Sequence, residues 1–130
     1  MAEHPNVSLL RKAHEAFAKG DVATITELSS EDFVWHLPGA GPLSGDHRGR
    51  DAVFAVFGQM VELSGSTYRD QVHDILANDE HTVVLRRATA TRPGKHYDSL
   101  EIDVYHIRNG KMTECWSFPE DQRLTDEFWS

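Results

Sequence analysis

Four apolar and β-branched stretches make up most of the second half of the chain. They span 68–77, 82–92, 96–107 and 111–118. The turn signals Asn78-Asp79, Pro93-Gly94 and Asn109-Gly110 separate them, and Asn-Gly favours a type I′ hairpin. This spacing predicts four strands in an antiparallel meander. Strands of this length twist, and we expect the sheet to curl around whatever packs on its concave face.

The first half of the chain predicts three helices that could cover that face. In the first, apolar residues and His14 recur at helical spacing from Val7 to Phe17, and Gly20 ends the pattern. Asp21 can cap a shorter second helix, which the polar cluster 29–32 ends. The third helix runs from Asp51 to Gly65 with apolar residues again at helical period.

A short strand and a loop connect these helices. Phe33–Leu37 is aromatic and branched, which favours a strand, and a glycine-rich loop follows over 39–49. Leu124 and Phe128 suggest a short closing helix or an ordered tail. We therefore predict one α+β domain over residues 1–130, in which three helices pack on a curved antiparallel sheet and enclose a pocket.

Charge and cysteine content limit the possible partners. The 130 residues include 21 Asp and Glu against 13 Lys and Arg, a formal net charge of -8. Such a surface repels phosphate backbones and anionic lipid headgroups, which argues against nucleic-acid and membrane partners. Cys115 is the only cysteine, so an intramolecular disulfide is excluded. Residues 1–5 lack a basic segment followed by an apolar run, and we expect a cytoplasmic protein.

Four local motifs, taken in this order, carry a family resemblance. They are Gly20-Asp21, the segment 34–39 from Val34 to Gly39, the segment 49–53 from Gly49 to Val53, and the segment 109–112 from Asn109 to Met112. With the order of elements, they resemble the nuclear transport factor two-like superfamily of ketosteroid isomerases and SnoaL-like polyketide cyclases. The resemblance implies a cone-shaped, cystatin-like α+β barrel that pairs through its sheet as a homodimer. It also implies a small apolar, polyketide-like or steroid-like ligand and no cofactor.

His36 and Asp103 are the leading catalytic candidates under this resemblance. His36 ends the first strand, where steroid isomerases place their catalytic base, and a histidine can transfer protons near neutral pH. The alternative is a core histidine that donates to a backbone carbonyl. Asp103 matches the strand position at which those isomerases keep a protonated aspartic acid in the oxyanion hole.

The strand that carries Asp103 alternates between two faces. Ser99, Glu101, Asp103 and Tyr105 share one face, and aliphatic residues occupy the other. The polar face could meet water while the aliphatic face joins the core. Under the resemblance, Glu101 and Asp103 instead face the cavity, and the aliphatic face packs against a second subunit.

The chain departs from the isomerase pattern on the first helix. The tyrosine that donates to the substrate oxyanion corresponds here to about Ala13, which has no donor. His14 or Tyr105 could replace it. SnoaL-like cyclases use an acidic residue soon after the last strand, which makes Glu120 or Asp121 a catalytic candidate; the alternative role is a first-turn acid of a terminal helix.

The remaining candidates are residues that could line a substrate pocket. They are Phe17, Phe54, Phe57, Glu101, Tyr105, Cys115 and Ser117. The three phenylalanines could equally be plain core, and on the last strand either Cys115 and Ser117 or the alternating aromatics face inward. Eight histidines show no metal-ligand spacing on a helix, so we predict no metal site.

These observations predict a cofactor-independent isomerase or cyclase that acts by proton transfer on an apolar carbonyl compound. His36 would move the proton, and Asp103 would donate to the developing enolate oxygen. One alternative is a non-catalytic ligand-binding or dimerisation module of the same fold. Another is a hydratase or hydrolase, which needs Glu101 and Asp103 both to point inward.

Overall fold

Ten secondary-structure elements follow one another along the chain. A computed structural model describes residues 3–130, so Met1 and Ala2 of the N-terminal stretch lie outside it. The elements are α1 (Pro5–Lys19), α2 (Val22–Leu28), β1 (Ser29–Leu37), β2 (Gly45–Arg48), α3 (Arg50–Leu63), β3 (Arg69–Ala77), β4 (Thr82–Arg92), β5 (Lys95–Arg108), β6 (Lys111–Pro119) and α4 (Gln122–Trp129).

The strands form one sheet in the order β2-β1-β6-β5-β4-β3. The predicted meander is confirmed, since β3 to β6 pair antiparallel with their sequence neighbours. The sheet as a whole is mixed rather than purely antiparallel, because β1 and β6 run parallel, with Trp35 opposite Cys115. The α+β fold, with helices packed on a curved sheet, is confirmed.

The segment around β1 differs most from the sequence prediction. The polar cluster 29–32 was predicted to end the second helix, but it also forms the start of β1. Ser29 can begin the strand because it is buried and its hydroxyl donates to the Ile25 carbonyl at 2.6 Å. Part of the predicted 39–49 loop forms β2, which pairs antiparallel with β1. The sheet therefore has six strands rather than five.

Helices α1 and α3 cover one side of the sheet, which we call its inner face. Pro5 opens α1, and Gly20 ends it with a left-handed φ of 70° that suits glycine. Leu10 of α1 and Val53 of α3 are fully buried against the inner strand residues. Burying each such side chain contributes about 1.5 to 3 kcal/mol.

Helix α4 closes one end of the sheet. Asp126 accepts from the Ala40 amide at 2.9 Å, and the Gln122 amide group donates to the Pro38 carbonyl at 3.2 Å. The approach is close, because a Cβ on Gly39 would lie 2.2 Å from Nε2 of Gln122. Across residues 3–130, the helices are too short or too polar to cross a membrane.

Candidate functional site

A cavity of about 60 Å³ lies between the inner face of the sheet and helices α1 and α3. We call it the inner cavity. One wall is largely aromatic: the Phe57 ring lies 5.1 Å from that of Phe17 and 4.7 Å from that of Trp35, centroid to centroid. Polar side chains of β3 to β6 form its other wall.

Arg86 is the centre of the polar wall. Its Nε and Nη2 donate to the two carboxylate oxygens of Asp103 at 2.7 and 3.1 Å. Its Nη1 donates to Asp70 at 2.6 Å and to the Tyr68 hydroxyl at 3.0 Å. A longer contact of 3.3 Å reaches Glu101. One buried guanidinium thus holds three carboxylates in place.

Asp103 and Glu101 respond differently to this arrangement. Burial alone would raise the pKa of Asp103, but Arg86 and the Ser117 hydroxyl, which donates at 2.6 Å, hold that pKa below its usual value. Burial raises the pKa of Glu101 to about 7, because its contact with Arg86 is weaker. The cluster therefore gains or loses a proton at Glu101 near neutral pH.

The structure corrects the role predicted for Asp103. Its side chain does face the interior, but it is an ionised acceptor paired with Arg86 rather than a protonated donor. A carboxylate without a proton cannot donate to an oxyanion. Tyr68 and Tyr105 keep their protons instead, because burial raises both of their pKa values well above 10.

His14 is the histidine that lines the inner cavity. It lies on the inward side of α1, between Leu10 and Phe17. Among residues 3–130, its Nε2 is buried and has no hydrogen-bond partner. Burial lowers the pKa of His14, and the nearby Asp70 and Asp103 offset this only in part. The imidazole is thus neutral at pH 7, and its Nε2 can exchange a hydrogen bond or a proton with a ligand.

His36 does not line the inner cavity, which corrects the leading prediction. Phe33 and Trp35 of β1 point inward. Because side chains alternate along a strand, His36 points to the opposite side, which we call the outer face of the sheet. There its Nδ1 lies 2.6 Å from Asp46 and its Nε2 lies 2.6 Å from Glu114.

The surroundings of His36 favour its charged form. Partial burial lowers the pKa of His36, but the hydrogen bonds with Asp46 and Glu114 outweigh it and raise the pKa above 6.5. The ring stacks on Trp116 at 4.8 Å. With both nitrogens engaged outside the cavity, His36 has no access to a ligand there.

The predicted pocket residues divide among three adjoining spaces. Those that line the inner cavity are Phe17, Phe57, Tyr105, Cys115 and Ser117. Glu101 lines a second cavity of about 50 Å³ beneath α4. Phe54 lines an outer groove of about 520 Å³ beside α1 and α3, and Phe17 and Phe57 also border it. Phe118 lies on the outer face, where it is half exposed.

The structure also corrects the catalytic role predicted for Asp121. Its carboxylate caps α4 by accepting from the Leu124 amide at 3.0 Å, and it lines none of these three spaces. Glu120 is engaged as well, since it accepts from the Leu100 amide at 2.9 Å. Both acids therefore hold the end of β6 and the start of α4.

Sequence reasoning missed Arg86, Asp70 and Tyr68 as site residues. Arg86 carried a signal, because it shares its strand face with Val84 and Ala88, which are fully buried. A charge in such a row indicates a buried polar site. Within residues 3–130, no three His, Cys, Asp or Glu side chains are grouped as metal ligands would be.

An α+β cone with an aromatic cavity and a buried polar wall defines a small-molecule pocket protein. The chain belongs to the SnoaL-like domain family, whose model matches residues 10–115, and it shares the fold of a solved NTF2-like protein. The resemblance seen in the sequence is thereby confirmed.

The chain is also similar to individual proteins over nearly its whole length. An uncharacterised protein of Mycobacterium tuberculosis H37Rv is 30% identical over 131 residues, which cover 100% of both chains. The structure of Bal32a, from a soil-derived mobile gene cassette, is 35% identical with a TM-score of 0.94 and covers 97% of each chain. A Xanthomonas campestris protein of unknown function with a cystatin-like fold is 29% identical, with a TM-score of 0.90 and coverage of 95% and 97%.

Proposed function

We propose that this protein is a cofactor-independent enzyme that moves a proton on a small, apolar carbonyl compound, as an isomerase or a cyclase does. The observation that carries the proposal is the Nε2 of His14, which is buried in the wall of the inner cavity and has no hydrogen-bond partner among residues 3–130. A neutral imidazole in an apolar pocket is a competent general base. The aromatic wall would accept the body of a polyketide-like or steroid-like molecule.

The carboxylates support His14 without replacing it. Asp70, Glu101 and Asp103 each already accept a hydrogen bond from Arg86, which limits their ability to hold and activate a water molecule. The negative charges of Asp70 and Asp103 favour a positive imidazolium when His14 takes up a proton, and the smaller effect of Arg86 opposes them. Tyr105, which stays protonated, is our candidate donor to the developing enolate oxygen.

We expect the protein to catalyse exchange of solvent deuterium into the α-carbon of small apolar ketones. Because burial lowers the pKa of His14 from 6.5, the base form dominates above that lowered pKa. The rate, followed by proton NMR, should rise with pH through a midpoint below 6.5 and then stay level. A midpoint near 7 would assign the base to Glu101 instead, and absence of exchange would favour a ligand-binding module.

We further propose that the chain pairs as a homodimer through the outer face of the sheet. Leu100, Ile102 and Phe118 are 59, 43 and 50% exposed on that face, and Ile102 and Phe118 are direct cross-strand neighbours. Contiguous exposed apolar side chains indicate an interaction surface. The inner face cannot serve this purpose, since α1 and α3 cover it.

Light scattering after size exclusion tests the dimer. The unmodified chain should have twice the mass of one chain, and Ile102→Glu should have the mass of one chain, because pairing would bury two carboxylates against apolar surface. The matched control is Val22→Glu, at an apolar residue of α2 that is 58% exposed on another side of the molecule. Equal masses for the two variants would contradict pairing through the sheet.

A further inference from the structure

The outer groove adjoins the inner cavity, because the two spaces share part of their lining. His14, Phe17, Phe57, Tyr68 and Asp70 border both spaces. The inner cavity of about 60 Å³ has room for only a few atoms, whereas the groove of about 520 Å³ is in the range of small-molecule sites. A ligand that places its reacting carbon at His14 must therefore extend along the groove.

The floor of the outer groove is apolar and open to water. Phe54 lies along it, and Val22 and Val61 border it with 58 and 40% of their surface exposed. Large aliphatic side chains gain free energy when a ligand covers them. The body of the ligand in this groove is thus apolar.

Two cations lie at the rim of the same groove, in a chain whose net charge is -8. Lys19 is the last residue of α1, and Arg69 is the first of β3. Among residues 3–130, neither is paired with a carboxylate as Arg86 or Arg87 is. Lys19 does attract the exposed Asp21, but that carboxylate already caps α2 through Thr24.

The position of Arg69 is fixed by its neighbours. Its Nη1 donates to the Ser66 and Tyr68 carbonyls at 2.9 and 2.7 Å. These bonds use one nitrogen and leave the other donors of the guanidinium for a ligand. A held guanidinium loses less side-chain entropy when it binds an anion.

We propose that the outer groove binds the apolar body and the anionic end of an elongated carboxylic acid, with the carboxylate held by Lys19 and Arg69. The inference rests on the proposed function only for the placement of the reactive end at His14. The proposed substrates have one charged end, at the rim of the outer groove, and one carbonyl group, in the inner cavity. The buried carboxylates around Arg86 disfavour an anion at the inner end, so the charge sets the direction of entry.

Calorimetric titration with three probes of equal chain length tests this inference at pH 7.5 and low salt. The probes are decanoate, decan-1-ol and decyltrimethylammonium. Decanoate should bind about tenfold more tightly than decan-1-ol, as two exposed ion pairs of modest strength would allow. Lys19→Gln and Arg69→Gln should each weaken decanoate binding about threefold, and the double variant about tenfold, without changing decan-1-ol binding.

Lys12→Gln is the matched control, because Lys12 is also an exposed lysine of α1 but does not border the groove. It should bind decanoate as the unmodified chain does. Amide NMR should show shifts at Gly20 and Gly58, which both line the groove. Equal binding of the cationic probe, an unaffected double variant, or shifts confined to the outer face would each overturn the inference.

The binding experiment tests the anionic subsite, and the exchange experiment tests the proton-transfer function, so each claim can be rejected without the other. Preferential decanoate binding without deuterium exchange would uphold the anionic subsite and reject the proton-transfer function. Deuterium exchange in a protein that does not prefer decanoate would uphold the function and reject the subsite.

Discussion

Replacing Arg86 with methionine is expected to lower the free energy of unfolding by about 3 to 5 kcal/mol, the usual effect of removing one partner from a buried ion pair. Arg86 is only 6% exposed, and its removal leaves Asp70, Glu101 and Asp103 together without a cation. Methionine preserves most of the side-chain volume, so the loss reports charge rather than a cavity. Urea unfolding followed by circular dichroism measures it.

The loss should also depend on pH in a defined direction. Without Arg86, burial should hold the folded-state pKa values of Glu101 and Asp103 above their unfolded values. A carboxyl group whose pKa is higher in the folded than in the unfolded state stabilises the fold below its unfolded-state pKa. This stabilisation is lost as the pH rises through the folded-state pKa. The variant should thus be more impaired at pH 8 than at pH 5.5.

Arg87 provides the matched control for this prediction. It is the next residue on β4, but it points outward and pairs with Asp98 at the surface. Solvent screens such a pair, and Arg87→Met should have a far smaller effect. Similar losses for the two variants would show that the Arg86 cluster is not a buried electrostatic centre.

The fold was largely predictable because its signals are local. The turns at Pro93-Gly94 and Asn109-Gly110 define the hairpins of the meander, and Gly20 defines the end of α1. The parallel pairing of β1 with β6 joins residues about 80 positions apart, and no local pattern encodes it. The β2 sequence 45–48 is polar and becomes a strand only through its pairing with β1.

The candidate site was predictable only in part. Alternation along β5 correctly offered an inward Asp103, but its ionisation depends on Arg86, whose pairing across the sheet the sequence does not show. Alternation along β1 also predicts that His36 points outward, because an inward Trp35 requires the next residue to point to the other face. The family resemblance and the period of the strand point to opposite faces for His36, and the period of the strand is correct.

His14 shows the limit of such reasoning most clearly. Its helical spacing with Leu10 and Phe17 predicts an inward position on α1. Whether a buried histidine is bonded or free depends on every side chain that surrounds it, and the inner cavity takes its lining from three helices and five strands. Only the three-dimensional arrangement shows that Nε2 has no partner among residues 3–130.

Replacing His14 with alanine is expected to slow deuterium exchange at the ketone α-carbon by about 100- to 10,000-fold, the usual contribution of a general base. The matched control is His36→Ala, because His36 lies on the outer face between Asp46 and Glu114 and should leave exchange nearly unchanged. Circular dichroism confirms that both variants fold. Added imidazole should restore part of the rate only in His14→Ala, since the deleted ring leaves space beside the inner cavity. Equal rates for His14→Ala and the unmodified chain would reject His14 as the base.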